Sequence, residues 1–162
     1  MRPAGPAESG TVVEILRTAT SARPGGSGPW GQEFPEVPSR ISRGEVYLAL
    51  RDDDAVGTFQ LTWNDPIIWG ADGLDGQAGY VHRLAVLPPR SGRGLGAAMI
   101  DEAARLTRRH GRTLLRLDVD DGNPGLRRYY ERLGFVHVRD VTGIPRTTTS
   151  GYRSASLYQA DV

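Results

Sequence analysis

The chain has 162 residues, 38% of them hydrophobic and 24% charged, with a formal net charge of +1, which predicts one soluble globular domain over 1–162. The near-neutral charge argues against a general nucleic-acid-binding surface, and the absence of cysteine excludes disulfides, thiolate nucleophiles and cysteine-based metal sites. Because the sequence has neither an apolar run of the ~18 residues that a membrane span needs nor a basic-then-apolar signal pattern, we expect a cytoplasmic protein that binds no membrane.

The first half of the chain predicts one helix, one hairpin and two loops. Apolar spacing and turn residues place these elements as a helix over 4–22, a loop over 23–38, a hairpin of strands 45–50 and 55–63, and a loop over 64–77. The acidic turn at 52–54 is typical of a solvated turn rather than of a metal site. Trp30 and Phe34 are the aromatic residues of the first loop, where they fill a core gap or contact a ligand.

The second half alternates strands and helices. The pattern predicts, in order, a strand over 80–87, a helix over 94–109, a strand over 113–119, a helix over 124–133 and strands over 135–140 and 152–159. The first strand is apolar at nearly every position, which is typical of a strand buried on both faces. Strand, helix and strand in this order form a βαβ unit, so we expect its two strands to be parallel.

A glycine-rich loop joins the first strand of that unit to its helix. Gly92, Gly94 and Gly96 let the backbone approach a ligand closely, and no acidic residue stands in the first helical turn. Exposed N–H groups and the positive end of the helix dipole favour a phosphate there. A nucleoside-triphosphatase loop would need a lysine, and the chain contains none.

Two other ligands remain compatible with the loop, of which the first is a dinucleotide. Gly92-x-Gly94-x-x-Ala97 fits the dinucleotide pattern, and Asp118 at the end of the next strand stands where a ribose-binding acid belongs. Against this, residues 88–91 separate the strand from the first glycine, which should follow the strand directly. The second ligand is the pyrophosphate of an acyl-CoA.

The loop resembles the pyrophosphate-binding motif of the Gcn5-related N-acetyltransferase (GNAT) superfamily, Arg/Gln-x-x-Gly-x-Gly/Ala. The matching window is Ser91-Gly-Arg-Gly94-Leu-Gly96. Both glycines fit, but Ser91 stands where the superfamily has Arg or Gln. The backbone contacts with the pyrophosphate do not depend on this residue. The contact that the Arg or Gln side chain makes in the superfamily is in doubt, and Arg90 or Arg93 could make it instead.

A second block of the same superfamily follows one βα unit later. The chain has Asn123, the pair Tyr129-Tyr130, and Gly134-Phe135 at the superfamily's spacing. These residues stand on a short helix that leads into a strand. The two blocks are independent and occur in the right order, so the chain resembles this superfamily over about residues 80–138.

The resemblance implies the fold, the reaction and the cofactor. The fold would be an α/β (α+β) arrangement with a mixed, mostly antiparallel central sheet of six to seven strands, a parallel pair at its centre and about four helices. The reaction would be direct acetyl transfer from acetyl-CoA to a primary amine, with no metal. Its cofactor-binding residues would be Leu84, Ala85, Val86, Ser91, Gly92, Arg93, Gly94, Leu95, Gly96, Ala97, Asn123 and Tyr130.

The resemblance also implies two catalytic residues. Tyr130 stands at the superfamily's proton-donor position, and a phenol with an ordinary pKa of about 10 stays protonated at neutral pH. The strand Tyr80-Val-His-Arg-Leu-Ala-Val86 is similar to His-x-His-x-Leu-Ala-Val of the arylalkylamine acetyltransferase branch, so His82 would be the base. Packing remains the alternative for both side chains, and helix capping remains the alternative for Asn123.

The acceptor is the least defined part of the prediction. Trp30, Phe34 and Trp63, with Trp69, suggest a partly apolar acceptor pocket. Carboxylates that could attract a cationic amine are Glu45, Asp65 and Asp72, with Asp118 as a helper of a water chain or a loop cap. Two other functions stay open, a non-catalytic acyl-CoA-binding module and an NAD(P)-dependent oxidoreductase, and a homodimer is compatible with the sequence.

Overall fold

A seven-stranded sheet with the strand order β1-β2-β3-β4-β5-β7-β6 organises the protein, seen in a computed structural model that describes residues 1–22, 34–88, 94–145 and 153–162. The strands are β1 (Arg2–Pro3), β2 (Val46–Arg51), β3 (Asp54–Thr62), β4 (Ala78–Val86), β5 (Leu114–Asp120), β6 (Val136–Thr142) and β7 (Ser154–Asp161). The α-helices are α1 (Ser9–Ser21), α2 (Val37–Ser42), α3 (Pro66–Trp69), α4 (Leu95–Arg109) and α5 (Pro124–Arg132).

The pairing of the strands confirms the predicted mixed sheet. β4 and β5 are parallel, and each of the other neighbouring pairs is antiparallel. Helix α4 crosses between the parallel strands, as the βαβ pattern requires. A doubly wound dinucleotide-binding domain is built on a mostly parallel sheet, so this topology argues against the oxidoreductase alternative.

Short helices occur in both segments that were predicted as loops, so the prediction of irregular structure was wrong at these positions. Helix α2 begins inside the segment predicted as a loop over 23–38, and α3 lies inside the loop predicted over 64–77, followed by a 3-10 helix over Gly70–Leu74. Helices of six and four residues are too short to show a 3.6-residue period.

The N-terminal helix also begins later than predicted. A two-residue strand and a 3-10 helix over Pro6–Glu8 come first, and α1 starts at Ser9. The Glu8 carboxylate accepts a 2.7 Å hydrogen bond from the Gly5 N–H and pairs with Arg2. These contacts hold the chain outside the α-helix until Ser9.

Two faces of the sheet carry different helices. On the first, which we call the α4 face, α4 and α5 cover a core that includes Phe59, Leu61, Met99 and Leu117. On the second, which we call the α1 face, α1 and α2 cover one cluster and α3 covers another. None of the helices in the described ranges is long and apolar enough to cross a membrane.

Candidate active site

The parallel strands β4 and β5 part halfway along their length. Their register runs from Ala78↔Leu114 to Val81↔Leu117, whereas β4 continues to Val86 and β5 to Asp120. Beyond Val81 the two strands therefore leave a split in the sheet. Main-chain groups along the split are available to an extended ligand, and the β4 side of the split is formed by the predicted cofactor-binding residues Leu84, Ala85 and Val86.

A β-bulge at Arg83 reshapes β4 at the start of the split. Thr58 pairs with Ala85 and Gln60 with His82, so β4 has one residue more than β3 between these pairs. Arg83 has a φ of 49°, which is strained for a residue with a side chain. Its guanidinium lies 2.6 Å from the Glu36 carboxylate, and this buried ion pair holds the strained residue in place.

The bulge changes which side chains of β4 point to each face. Before it, Val81 packs in the core of the α4 face. After it, Leu84 and Val86 pack against that core, and Ala85 packs under α1 and α2. His82 alternates with Val81 and therefore lies on the α1 face, and the bulge after it turns Leu84 and Val86 to the α4 face of the split.

Three polar side chains form a row across the α1 face. Gln60 on β3 pairs with His82 on β4, and Asp118 on β5 is one residue past the last β4–β5 pair. Gln60 is 1% exposed, and within the described ranges neither its amide nitrogen nor its amide oxygen has a hydrogen-bond partner. A buried amide without partners is costly, so this row has the polarity expected of a binding site.

His82 lies between two carboxylates. Its Nε2 is 3.6 Å from Asp65 Oδ2, and its Nδ1 is 3.6 Å from Asp118 Oδ1. The three side chains are 10%, 9% and 6% exposed, respectively. Helix α3 positions Asp65, because Oδ1 of this residue accepts a hydrogen bond from the Ile68 N–H at the helix start and thereby directs Oδ2 to the imidazole.

The two carboxylates set the protonation of the ring. Burial lowers the pKa of His82, but the polar contact with Asp118 and the negative charges of both carboxylates together outweigh burial, so the pKa is raised above its ordinary value. The pKa of Asp65 is also raised, mainly by burial. The positive charge on His82 lowers this pKa, and the negative charge on Asp118 raises it further. The pKa values of His82 and Asp65 thus depend on each other's charge as well as on burial.

The same three residues could hold a metal ion. One ligand atom from each lies within 4.8 Å of the others. However, the two ring nitrogens of His82 face different carboxylates, and one ion binds one nitrogen of an imidazole. The arrangement suits proton transfer through the ring better than a single-ion site.

Two of the carboxylates predicted to attract an amine form ion pairs with arginines. Glu45 contacts Arg40 at 2.9 Å and Arg43 at 3.0 Å. Asp72 contacts Arg139 at 2.7 Å. Of the three predicted carboxylates, Asp65 is the one beside His82.

The start of α4 has no side-chain cap among the described residues. Gly94 is the N-cap residue, with a φ of 79°, and the first turn of the helix has no acidic residue. Because the first turn of a helix leaves N–H groups without partners, residues 94–97 can bind an anion. A Cβ built on Gly96 would lie 2.7 Å from Tyr129 Oη. The predicted residues Ser91, Gly92 and Arg93, with Arg90, lie outside the described residues.

Helix α5 brings the predicted proton donor to the α4 face of the split. Tyr130 is 7% exposed and belongs to the core cluster that also contacts Leu84 and Val86. Its ring packs edge-on to Tyr129 at 5.2 Å and to Phe135 at 5.7 Å. At the start of the helix, Asn123 Oδ1 accepts a 3.0 Å hydrogen bond from the Leu126 N–H, so Asn123 is a helix cap.

Phe34, Trp63 and Trp69, the described residues of the predicted aromatic pocket, pack in three different core clusters. Phe34 is buried under α1 and α2, with the Arg83 guanidinium 4.8 Å from its ring centroid. Trp63 packs against the core of the opposite face and stacks on His110 at 3.7 Å. Trp69 is a core residue beside Tyr80, and Trp30 falls outside the described ranges. The contacts of Trp63 and Trp69 already account for these two residues as packing.

Comparison with known proteins agrees with this geometry. The sequence matches the Acetyltransferase (GNAT) family over residues 12–135. It is 30% identical over 131 residues to the uncharacterized N-acetyltransferase YesJ of Bacillus subtilis, a match that covers 75% of this chain and 72% of YesJ.

Solved structures of acetyltransferases share the fold. A GNAT-family acetyltransferase from Listeria monocytogenes superposes with a TM-score of 0.81 at 26% identity, over 99% of this chain and 93% of the other. The putative acetyltransferase yncA from Salmonella typhimurium, solved with its cofactor acetyl-CoA, superposes with a TM-score of 0.71 at 16% identity, over 99% and 91% of the two chains.

Proposed function

We propose, since this chain belongs to the Acetyltransferase (GNAT) family, that it transfers an acetyl group from acetyl-CoA directly to a primary amine of a small molecule or a protein. The observation that carries the proposal is the imidazole of His82, held between Asp65 and Asp118 at the point where β4 and β5 part. A proton acceptor beside an open split in the sheet is the arrangement that amine acylation needs.

Acetyl-CoA fits the α4 face and the split. The N–H groups at residues 94–97 would hold its pyrophosphate, together with those of the preceding loop, since the start of α4 has neither a side-chain cap nor an acid. Main-chain groups of Leu84, Ala85 and Val86 would bind the pantetheine arm. Asn123, whose Oδ1 already caps α5, would contribute a contact from the start of that helix.

The amine would approach from the α1 face. A primary amine with an ordinary pKa of about 10 arrives as an ammonium ion at neutral pH and cannot attack. His82 accepts one proton from it, and Asp118 stabilises the imidazolium that forms. The neutral nitrogen then forms a bond to the acetyl carbon, and the bond between that carbon and the sulfur breaks.

Tyr130 completes the proton balance on the α4 face. The sulfur leaves with the electron pair of the broken bond and takes the phenolic proton of Tyr130. The acylated nitrogen still carries one proton too many, and the loss of this proton restores the phenol. One ammonium ion and one thioester therefore yield one amide, one thiol and one proton.

Thiol release tests the proposed function directly. Acetyl-CoA and the protein are incubated with a panel of primary amines, and free thiol is measured by a colorimetric reagent, to which the protein adds no signal because the chain has no cysteine. We expect thiol release that depends on one class of amine and yields the acetylated amine in equal amount. Tight acetyl-CoA binding with no amine-dependent thiol release would instead support an acyl-CoA-binding module.

The pH profile tests His82 as the base. Because only the neutral imidazole accepts a proton and the pKa of His82 is raised above its ordinary value, kcat/KM is expected to fall as the pH drops through that raised pKa. Asp118→Asn removes a contact that raises the pKa, so the acidic limb of the profile should move to lower pH. An unchanged limb in Asp118→Asn would assign the titration to another group.

A further inference from the structure

Buried polar atoms without hydrogen-bond partners lie beside His82 on the α1 face. Gln60 and Asp65 are both buried there, at 1% and 8% exposure. In the described part of the chain, both amide atoms of Gln60 and Oδ2 of Asp65 have no hydrogen-bond partner. Buried polar atoms are nearly always satisfied in a working protein, so these three atoms call for a polar ligand, and the two oxygens among them call for a hydrogen-bond donor.

The charge of the surroundings selects the sign of that ligand. Arg83 is paired with Glu36 at 2.6 Å, and Arg40 shares the Glu45 carboxylate with Arg43, at 2.9 and 3.0 Å. The two charged groups nearest to the imidazole of His82 are the carboxylates of Asp65 and Asp118, one on each side of the ring. This pair of negative charges favours a cation beside the ring.

We propose that Gln60 and Asp65 form a subsite that binds the acceptor as an ammonium ion beside His82, with Asp118 on the far side of the ring, so that the enzyme selects aliphatic primary amines, which are cationic at neutral pH, over arylamines, which are neutral. This inference rests on the proposed function and adds the chemical class of the acceptor to it. The ammonium donates hydrogen bonds to Asp65 Oδ2 and to the Gln60 carbonyl, which gives both buried acceptors the partner that they lack.

The subsite also delivers the proton to the base. An ammonium bound to Asp65 Oδ2 lies next to His82 Nε2, since these two atoms are 3.6 Å apart. The proton passes from the ammonium to Nε2, and Asp118 faces the opposite nitrogen, Nδ1. The amine thus binds to Asp65 and loses its proton to Nε2 of His82, while Asp118 contacts Nδ1 of the same imidazole.

Asp65→Asn is the discriminating variant. Asparagine keeps an oxygen that can cap α3 but removes the charge, so the fold should be retained. We expect KM for an aliphatic amine to rise about 10- to 100-fold, the equivalent of a hydrogen bond to a charged group, with KM for acetyl-CoA unchanged. The values are compared at the high-pH plateau, where His82 is neutral in both proteins.

Two controls make the result specific. Asp161→Asn removes an exposed carboxylate that is paired in register with Leu114, at the start of β5, and should leave both KM values unchanged. An arylamine of similar size is used as the neutral acceptor. The inference is overturned if wild type acetylates the arylamine as well as the aliphatic amine, or if Asp65→Asn raises KM equally for the two amines. The proposed acetyl transfer, which thiol release tests, would be unaffected by either result.

A binding experiment separates this inference from the proposed reaction. Thermal stabilisation by the aliphatic amine is measured in the presence of CoA, which cannot react. Stabilisation by the cationic amine that Asp65→Asn abolishes supports the subsite even if thiol release fails. Stabilisation that is equal for cationic and neutral amines, or equal in wild type and Asp65→Asn, rejects it.

Discussion

Replacing Tyr130 by phenylalanine is expected to lower kcat by about 10²- to 10⁴-fold, the usual contribution of a general acid. Phenylalanine keeps the ring, which packs edge-on against Tyr129 and Phe135, and removes only the hydroxyl that would protonate the departing thiolate. Acetyl-CoA affinity should change little. Stopped-time thiol release at saturating acetyl-CoA gives kcat, and calorimetric titration with CoA gives the affinity.

A second tyrosine supplies the control for this variant. Tyr47→Phe removes the hydroxyl of a tyrosine on β2 that stacks on Phe59 at 5.0 Å, and should leave kcat unchanged. An acyl donor with a more acidic leaving thiol needs less protonation, so it should recover part of the rate of Tyr130→Phe. A kcat equal to that of wild type would remove Tyr130 from the mechanism and leave it as a packing residue.

The elements around the cofactor site are predictable from the sequence because they are long and strongly patterned. Helix α4 has 15 residues, enough for an amphipathic period, and β4 and β5 are apolar runs on either side of it. The glycine loop and the block from Asn123 to Phe135 add residue types at fixed spacing. Pattern and motif agree here, so the parallel pair and its crossover helix could be inferred without the structure.

The residues proposed to bind the acceptor were harder to predict from the sequence, because they come from short or irregular elements. Asp65 reaches His82 through α3, which has four residues. Its Asp-Pro start is a capping signal, but that signal gives no indication of what the second carboxylate oxygen contacts. Gln60 could have been noticed as an amide between Phe59 and Leu61 in a buried strand, which is a position that apolar residues usually occupy.

The bulge at Arg83 had no signal in the sequence. Bulges with a positive φ are normally marked by glycine, whereas here the strained residue is an arginine with a φ of 49°. Its conformation depends on contacts with Glu36 and Phe34, which are far away in the sequence. The side of the sheet to which His82 points is therefore a tertiary property, and the period of β4 alone could not determine it.

Replacing Gly94 by valine is expected to weaken acetyl-CoA binding by about 10- to 100-fold, the equivalent of losing a charge-assisted hydrogen bond. Among the described residues, none has an atom within 4 Å of a Cβ built at this position, so we expect a side chain to occupy the space in front of the α4 N-terminus, where the pyrophosphate would approach. Calorimetric titration with CoA measures the loss.

Backbone strain must be separated from this steric effect, because Gly94 has a φ of +79° and any side chain is strained there. Gly76 is the matched control, with a φ of +73° and nothing within 4 Å, but it precedes β4 at the end remote from the split. Both valine variants should lose similar thermal stability, and only Gly94→Val should lose affinity for CoA. Equal CoA affinity in the two variants would mean that the N-terminus of α4 does not bind the pyrophosphate, and the cofactor would then have to be held by the split alone.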